Sequence, residues 1–155
     1  MSNEFWEFSL ATYKTDGVAE AALAVQDQMG LDINLILYAS WLASQGLKLT
    51  GGHLVGLESR VGRWQREVVI PLRAVRRELK GIADVELLRD QVKDIELSCE
   101  KRQQQMMWEY FSAAEALEAE GETLHENLIL LLAPEMAEKA SWCLLEVELL
   151  SASRG

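Results

Sequence analysis

Past Asp32 the chain places apolar side chains on every face of a helix. Ile33, Leu35, Ile36, Leu37, Tyr38, Trp41 and Leu42 leave no polar stripe. A helix of this kind must be surrounded by protein or lipid, and it falls short of the roughly 20 apolar residues that span a bilayer. Residues 30–43 are therefore expected as the buried central helix of a core. Ahead of it, Val18, Ala21, Ala22, Val25 and Met29 recur at helical spacing. Gly30 is expected as a left-handed C-cap, Asp32 as the N-cap of the central helix, and Thr15-Asp16-Gly17 as a turn that supplies a capping side chain. Phe5, Trp6, Phe8, Leu10 and Tyr13 predict a first helix or turn clamped onto the core.

Thr50-Gly51-Gly52 reads as a flexible link, after which the period lengthens. Leu57, Val61, Trp64, Val68, Leu72, Val75 and Leu79 form one apolar seam, interrupted by Pro71, which should kink the helix or open its carbonyl ladder. Gly81-Ile82-Ala83-Asp84 predicts a reversal with Asp84 as the next N-cap. Val85, Leu88, Val92, Ile95 and Cys99 then step as coiled-coil core positions do. The tract Glu100–Gln105 is entirely polar and predicts a register shift or a projecting turn. Apolar spacing resumes with Met106, Met107, Tyr110, Phe111, Ala114 and Leu117. An acidic connection over residues 115–122 leads to a capping box, Thr123 with Glu126. A short buried helix is expected next, then a last helix that begins at Pro134 and carries Met136, Ala140, Cys143, Leu144, Val147 and Leu150 inward.

These segments assemble as an all-α single domain over residues 1–155, a bundle with a buried central helix and a long antiparallel hairpin. The N-terminal helices span 1–46, the hairpin 53–117 and the C-terminal helices 123–151. At 155 residues the chain can bury a core without disulfides or metal. The N-terminus lacks the basic and apolar regions of a signal peptide, and Cys99 and Cys143 have no metal-type spacing. A cytoplasmic protein with two buried, reduced thiols is the expectation.

Little in the sequence points to catalysis. No serine stands in a nucleophile-elbow context and no glycine-rich phosphate loop is present, so no catalytic residue, cofactor or metal ligand is assigned. Glu122 and His125 have the i, i+3 spacing of a di-metal carboxylate site, but such sites need a second copy of the motif. Two features remain. Asp27, Asp32 and Asn34 bracket the start of the central helix, and a buried Asn34 needs hydrogen-bond partners. This marks a structural network or a small polar pocket. The other feature is a basic face: Arg66, Arg73, Arg76, Arg77 and Lys80 cluster opposite the apolar seam. Residues 56–81 hold seven Lys/Arg against three acids, +4 within a chain of −10, so the remainder carries −14. A face of this kind suits an acidic protein surface, unless Glu86, Asp90, Asp94 and Glu96 neutralise it within the fold. Nucleic acid is not the expected partner, because no aromatic interleaves the arginines and the net charge is negative.

Phe5-Trp6-x-Phe8-Ser9-Leu10, Tyr13, Gly17-Val18, Gln26-Asp27, Gly30-Leu31-Asp32-Ile33-Asn34-Leu35 and Trp41 resemble a family of small uncharacterised proteobacterial proteins defined as a domain of unknown function. The resemblance is specific over residues 5–43. It implies a bacterial cytosolic helical protein, places the Asp27/Asp32/Asn34 junction in the family signature, and carries over no catalytic residue. The expectation taken forward is a non-enzymatic interaction or adaptor protein that meets a protein partner through the basic arginine face of the hairpin, the hairpin also being suited to pairing with a second copy of itself. The alternative is a small-molecule-binding or enzymatic bundle with its site near Asp27 and Asn34.

Overall fold

A computed structural model describes residues 3–114, 123–132 and 136–154. All regular elements among them are helical, in agreement with the all-α expectation. They are α1 (Glu4–Lys14), α2 (Val18–Met29), α3 (Ile33–Ser44), α4 (Gly51–Trp64), a π-helical turn (Gln65–Val69), α5 (Ile70–Lys80), α6 (Glu86–Ala113), α7 (Leu124–Ile129) and α8 (Ala140–Arg154). The chain divides into two compact units, Met1–Leu54 with Ala114–Gly155, and Val55–Ala113. The acidic connection 115–122, Glu122 included, and Pro134 lie outside the described residues.

The first unit is built on α3, which is buried at nine of its twelve positions. Asp32 accepts from the Asn34 amide at 2.9 Å and so caps the helix as expected, and Gly30 ends α2 at φ 67°. Phe5 of α1 meets the Tyr38 ring edge to face at 5.4 Å and lies 5.5 Å from Trp41. All three side chains are essentially sealed from solvent, each contributing about 2 kcal/mol by burial. Several sequence-derived expectations need correction. The N-cap of α2 is Gly17 at φ 89°, with no capping side chain; the Glu148 carboxylate fills the space a Cβ there would need. Gly51 and Gly52 are not a link but the first turn of α4, which Thr50 caps by accepting from the His53 amide at 3.1 Å. The last helix is turned from its expected phase. Trp142, Leu145 and Leu149 face inward, whereas Leu144 and Val147 are more than half exposed. The segment is apolar around most of its circumference, so spacing alone could not choose the face. Cys143 is exposed and Cys99 half-buried, both as free thiols, so the expected burial of both is not met.

In the second unit the decisive event is the π-helical turn. Pro71 has no amide hydrogen, so the Glu67 carbonyl loses its i+4 donor. The ladder resets just upstream, where the Ile70 amide bonds the Gln65 carbonyl, five residues back. One extra residue in the turn advances the inward face by one position. Up to Val61 the buried residues are those of the predicted seam, Leu57 and Val61; beyond it they are Gln65 and Val69 rather than Trp64 and Val68. Antiparallel α6 follows a turn in which Asp84 adopts φ 66°. Val85, not Asp84, occupies the cap position and accepts from the Arg89 amide at 2.9 Å. The polar tract neither shifts nor projects. Helix α6 runs unbroken through it, with Gln103 and Gln104 buried.

Candidate functional site

The shifted phase places arginines where the seam predicted valine and leucine. Arg73 and Arg76 turn toward α6 and meet acids there. Arg73 Nε donates to Glu96 at 3.3 Å and its Nη2 to Glu100 at 3.2 Å. Arg76 Nε donates to Glu96 at 2.5 Å and its Nη2 at 3.3 Å. The Glu96 side chain is 7% exposed and that of Arg73 13%, so these are fixed, mutually neutralising charges rather than a solvated basic face. Arg66, Arg77 and Lys80 stay at the surface, with the Arg66 guanidinium lying over Gly62. The five candidate cations are thus split: two lie inside the hairpin contact and three outside it. Of the acids expected to neutralise this face, Glu96 does so.

Apolar positions pay for this arrangement with exposure. Val75, Ile82, Leu88 and Ile95 are each 47–53% exposed. Val75 precedes Arg76 by one residue and Ile95 precedes Glu96, while Leu88 lies seven residues before Ile95, on the same face of α6. Each apolar side chain therefore lies about 100° round its helix from the polar contact, in the same rotational sense. In an antiparallel pair that common sense brings both stripes to one side of the hairpin. The result is an apolar face, with half-buried Leu72, Leu79, Val92 and Cys99 along its floor.

In the first unit, Asp27 lies in the last turn of α2, and Asp32 and Asn34 are joined by the cap at the start of α3. A fully buried amide network lies elsewhere, at Asn127 of α7. Its Oδ1 accepts from the Leu49 amide at 2.8 Å, and its Nδ2 donates to the carbonyls of Ala39 at 3.2 Å and Leu47 at 3.0 Å. Asn127 is wholly buried. A single amide ahead of the apolar string Leu128–Leu132 was the available signal for it. His53 stacks on Tyr38 with ring centroids 5.7 Å apart, and the Tyr38 hydroxyl shares a hydrogen bond of 2.5 Å with His53 Nε2. Burial pushes the His53 pKa below its ordinary value, which holds the imidazole neutral. A cavity of 460 Å³ is lined by Phe8, Thr12, Ser40, Thr123, Leu149 and Arg154 among others, and not by Asp27, Asp32 or Asn34. His125 contacts Glu146, and among the described residues no group of three or more His, Cys, Asp or Glu side chains could hold a metal ion. No helix among them is long and apolar enough to cross a membrane.

The family model for DUF2390, proteins of unknown function, matches residues 4–107. The chain belongs to the DUF2390 family. The matched part of this DUF2390 chain runs from the start of α1 into the last turns of α6, and so takes in the Arg/Glu network, the apolar face and the α2–α3 junction. Asn127, α7 and α8 follow it. No curated protein and no solved structure matches the chain.

Proposed function

We propose that this DUF2390 protein is a non-enzymatic interaction protein whose contact surface is the apolar face of the α5/α6 hairpin. One observation carries the reading: the hairpin holds Arg73, Arg76, Glu96 and Glu100 between its helices and leaves Val75, Leu88 and Ile95 half exposed on one side. Apolar surface gathered in this way marks a contact site, and two parallel ridges with a shallow floor suit a helical partner bearing an apolar stripe. This departs from a contact made by the basic face, since Arg73 and Arg76 already have carboxylate partners.

The two surfaces differ in salt response. Contacts of Arg66 and Arg77 with an acidic partner would be heavily screened at about 0.5 M salt, where the Debye length is about 4 Å; apolar burial would not. In affinity capture with the full chain, binding is expected to survive at about 0.5 M salt, to fall at least ~10-fold for Ile95→Arg, and to persist in Arg66→Glu/Arg77→Glu. Capture lost in the arginine variant and retained in Ile95→Arg would overturn the reading.

A second reading has its own observation, the 460 Å³ cavity of the first unit. That volume suits a small ligand, and Phe8 and Leu149 with the Arg154 guanidinium suit an apolar body carrying an anionic group. A thermal-shift screen of small aryl and alkyl carboxylates tests it. A stabilising hit in the intact chain that Ser40→Phe abolishes supports it, and no shift at millimolar ligand removes it.

A further inference from the structure

We infer that the occupant of the hairpin's apolar face is a second copy of the chain, docked so that each α5 lies antiparallel against the other copy's α6. The inference rests on the reading of that face as the contact surface. Two antiparallel helices with adjacent apolar stripes are half of a four-helix core, and a two-fold rotation supplies the other half.

Charge permits this pairing and selects its geometry. Residues 55–113 carry eleven Lys/Arg against ten Asp/Glu, +1, while the other residues hold the remaining four Lys/Arg against fifteen acids, −11. The hairpin is therefore the part of the chain where two copies approach without strong repulsion. At the outer edge of the apolar face, the α5 side carries Glu67 and Glu78 and the α6 side carries Gln91 and Arg102, all exposed. A two-fold axis across the helices would set α5 on α5 and oppose acid to acid. An axis along the helices sets α5 on α6 and meets the acidic edge with the edge that holds Arg102. The Arg73–Glu100 and Arg76–Glu96 pairs fix the register. They place Glu67 level with the turn of α6 that holds Arg102 and Gln105, about 5 Å along the axis, within reach of two long side chains. The existing Arg63–Glu67 pair is exposed on both sides and competes weakly.

Helix α5 is eleven residues long, about 16 Å. The buried area therefore belongs to the class of weak, reversible interfaces. The test is sedimentation equilibrium of the full chain from about 5 to about 500 µM, a span that covers the affinities of such interfaces. A concentration-dependent shift from monomer to dimer is expected. Ile95→Arg should raise the dissociation constant at least ~10-fold with an unchanged circular dichroism spectrum, since Ile95 is an exposed side chain. Glu67→Arg and Arg102→Glu should each weaken dimerisation about threefold or more, and the double swap should restore it to within about threefold, because it rebuilds both contacts with their signs exchanged. A monomer across the whole range, an indifferent Ile95→Arg, or a double swap without rescue overturns the inference. If the chain stays monomeric while Ile95→Arg still abolishes salt-resistant capture of another protein, the second copy is excluded and the contact surface stands. If both fail, the surface falls as well.

Discussion

Glu96 of α6 accepts hydrogen bonds from both nitrogens that Arg76 of α5 turns toward it, Nε at 2.5 Å and Nη2 at 3.3 Å, while also taking Nε of Arg73 at 3.3 Å. One carboxylate thus anchors two guanidiniums in a setting where it is nearly sealed from water. Removing it takes from two partly buried cations the carboxylate to which both donate. Glu96→Ala is expected to destabilise the chain by about 3 kcal/mol, the cost of breaking a buried pair from one side. Replacing Arg73, Arg76 and Glu96 together by Leu or Met should cost far less. Chemical denaturation of both variants checks this, and equal losses would show that the network contributes net stability rather than specifying the helix faces.

Asn127 satisfies three backbone groups of the segment that follows and includes the end of α3. Asn127→Leu is close in volume but strands the Leu49 amide and removes one donor each from the Leu47 and Ala39 carbonyls, of which Leu47 keeps the Thr123 hydroxyl. A loss of about 2 kcal/mol is expected, the cost of one abandoned buried donor and two weakened acceptors. The same denaturation experiment measures it, and Asn127→Asp should recover only the contact to the Leu49 amide.

His53 couples stability to pH. Its pKa is lowered in the fold by burial, against an unfolded value near 6.5. The unfolded chain therefore binds the proton more readily. The His53 contribution is complete above about pH 6.5 and is lost as pH falls from there through the folded pKa. Denaturation midpoints at pH 7.5 and pH 5 should differ more for the native chain than for His53→Gln. His125 is exposed and present in both proteins, so it cancels. Parallel pH profiles would show that the Tyr38–His53 contact does not couple protonation to folding.

Gly56 has the Tyr110 hydroxyl and ring packed into the space a Cβ would need. Helix propensity alone favours Gly56→Ala by about 1 kcal/mol. Overpacking costs about 1–3 kcal/mol, so the net expectation is a loss of about 1 kcal/mol. Gly56→Ala with Tyr110→Phe, which removes the closest atom but leaves the ring carbon at 2.9 Å, should regain part of it. Thermal denaturation of the single and double variants decides between the two effects.

Local chemistry alone made several elements legible. Asp32 caps α3 because a short carboxylate reaches the Asn34 amide wherever that helix starts, and Gly30 ends α2 because only glycine takes φ 67° without strain. The all-round apolarity of residues 33–42 required burial whatever surrounded them. The candidate site was less legible because a period of 3.6 assumes an unbroken ladder. Pro71 was visible, and a local opening of the ladder was expected from it, but the one-residue phase change that moved Val75 out and Arg76 in was not. Asn34 drew attention as the amide in a buried helix, yet its backbone is held by the cap. Asn127, near the apolar string 128–132, became the buried amide only when α7 packed on α3 and the residues after it.

What the sequence determined by itself was the helical class, the ends of α2 and α3 and the buried central helix, since each follows from side chains within one turn of the feature. Tertiary structure decided which face of each remaining helix is the inside. Helix α8 is apolar on several sides, and only packing selected Trp142, Leu145 and Leu149. In α5 and α6 the π-helical turn set the arginines against Glu96 and Glu100, and that ionic contact left Val75, Leu88 and Ile95 on the outside. Helical periodicity identifies an apolar stripe, but the partner it packs against is chosen by contacts distant in the chain.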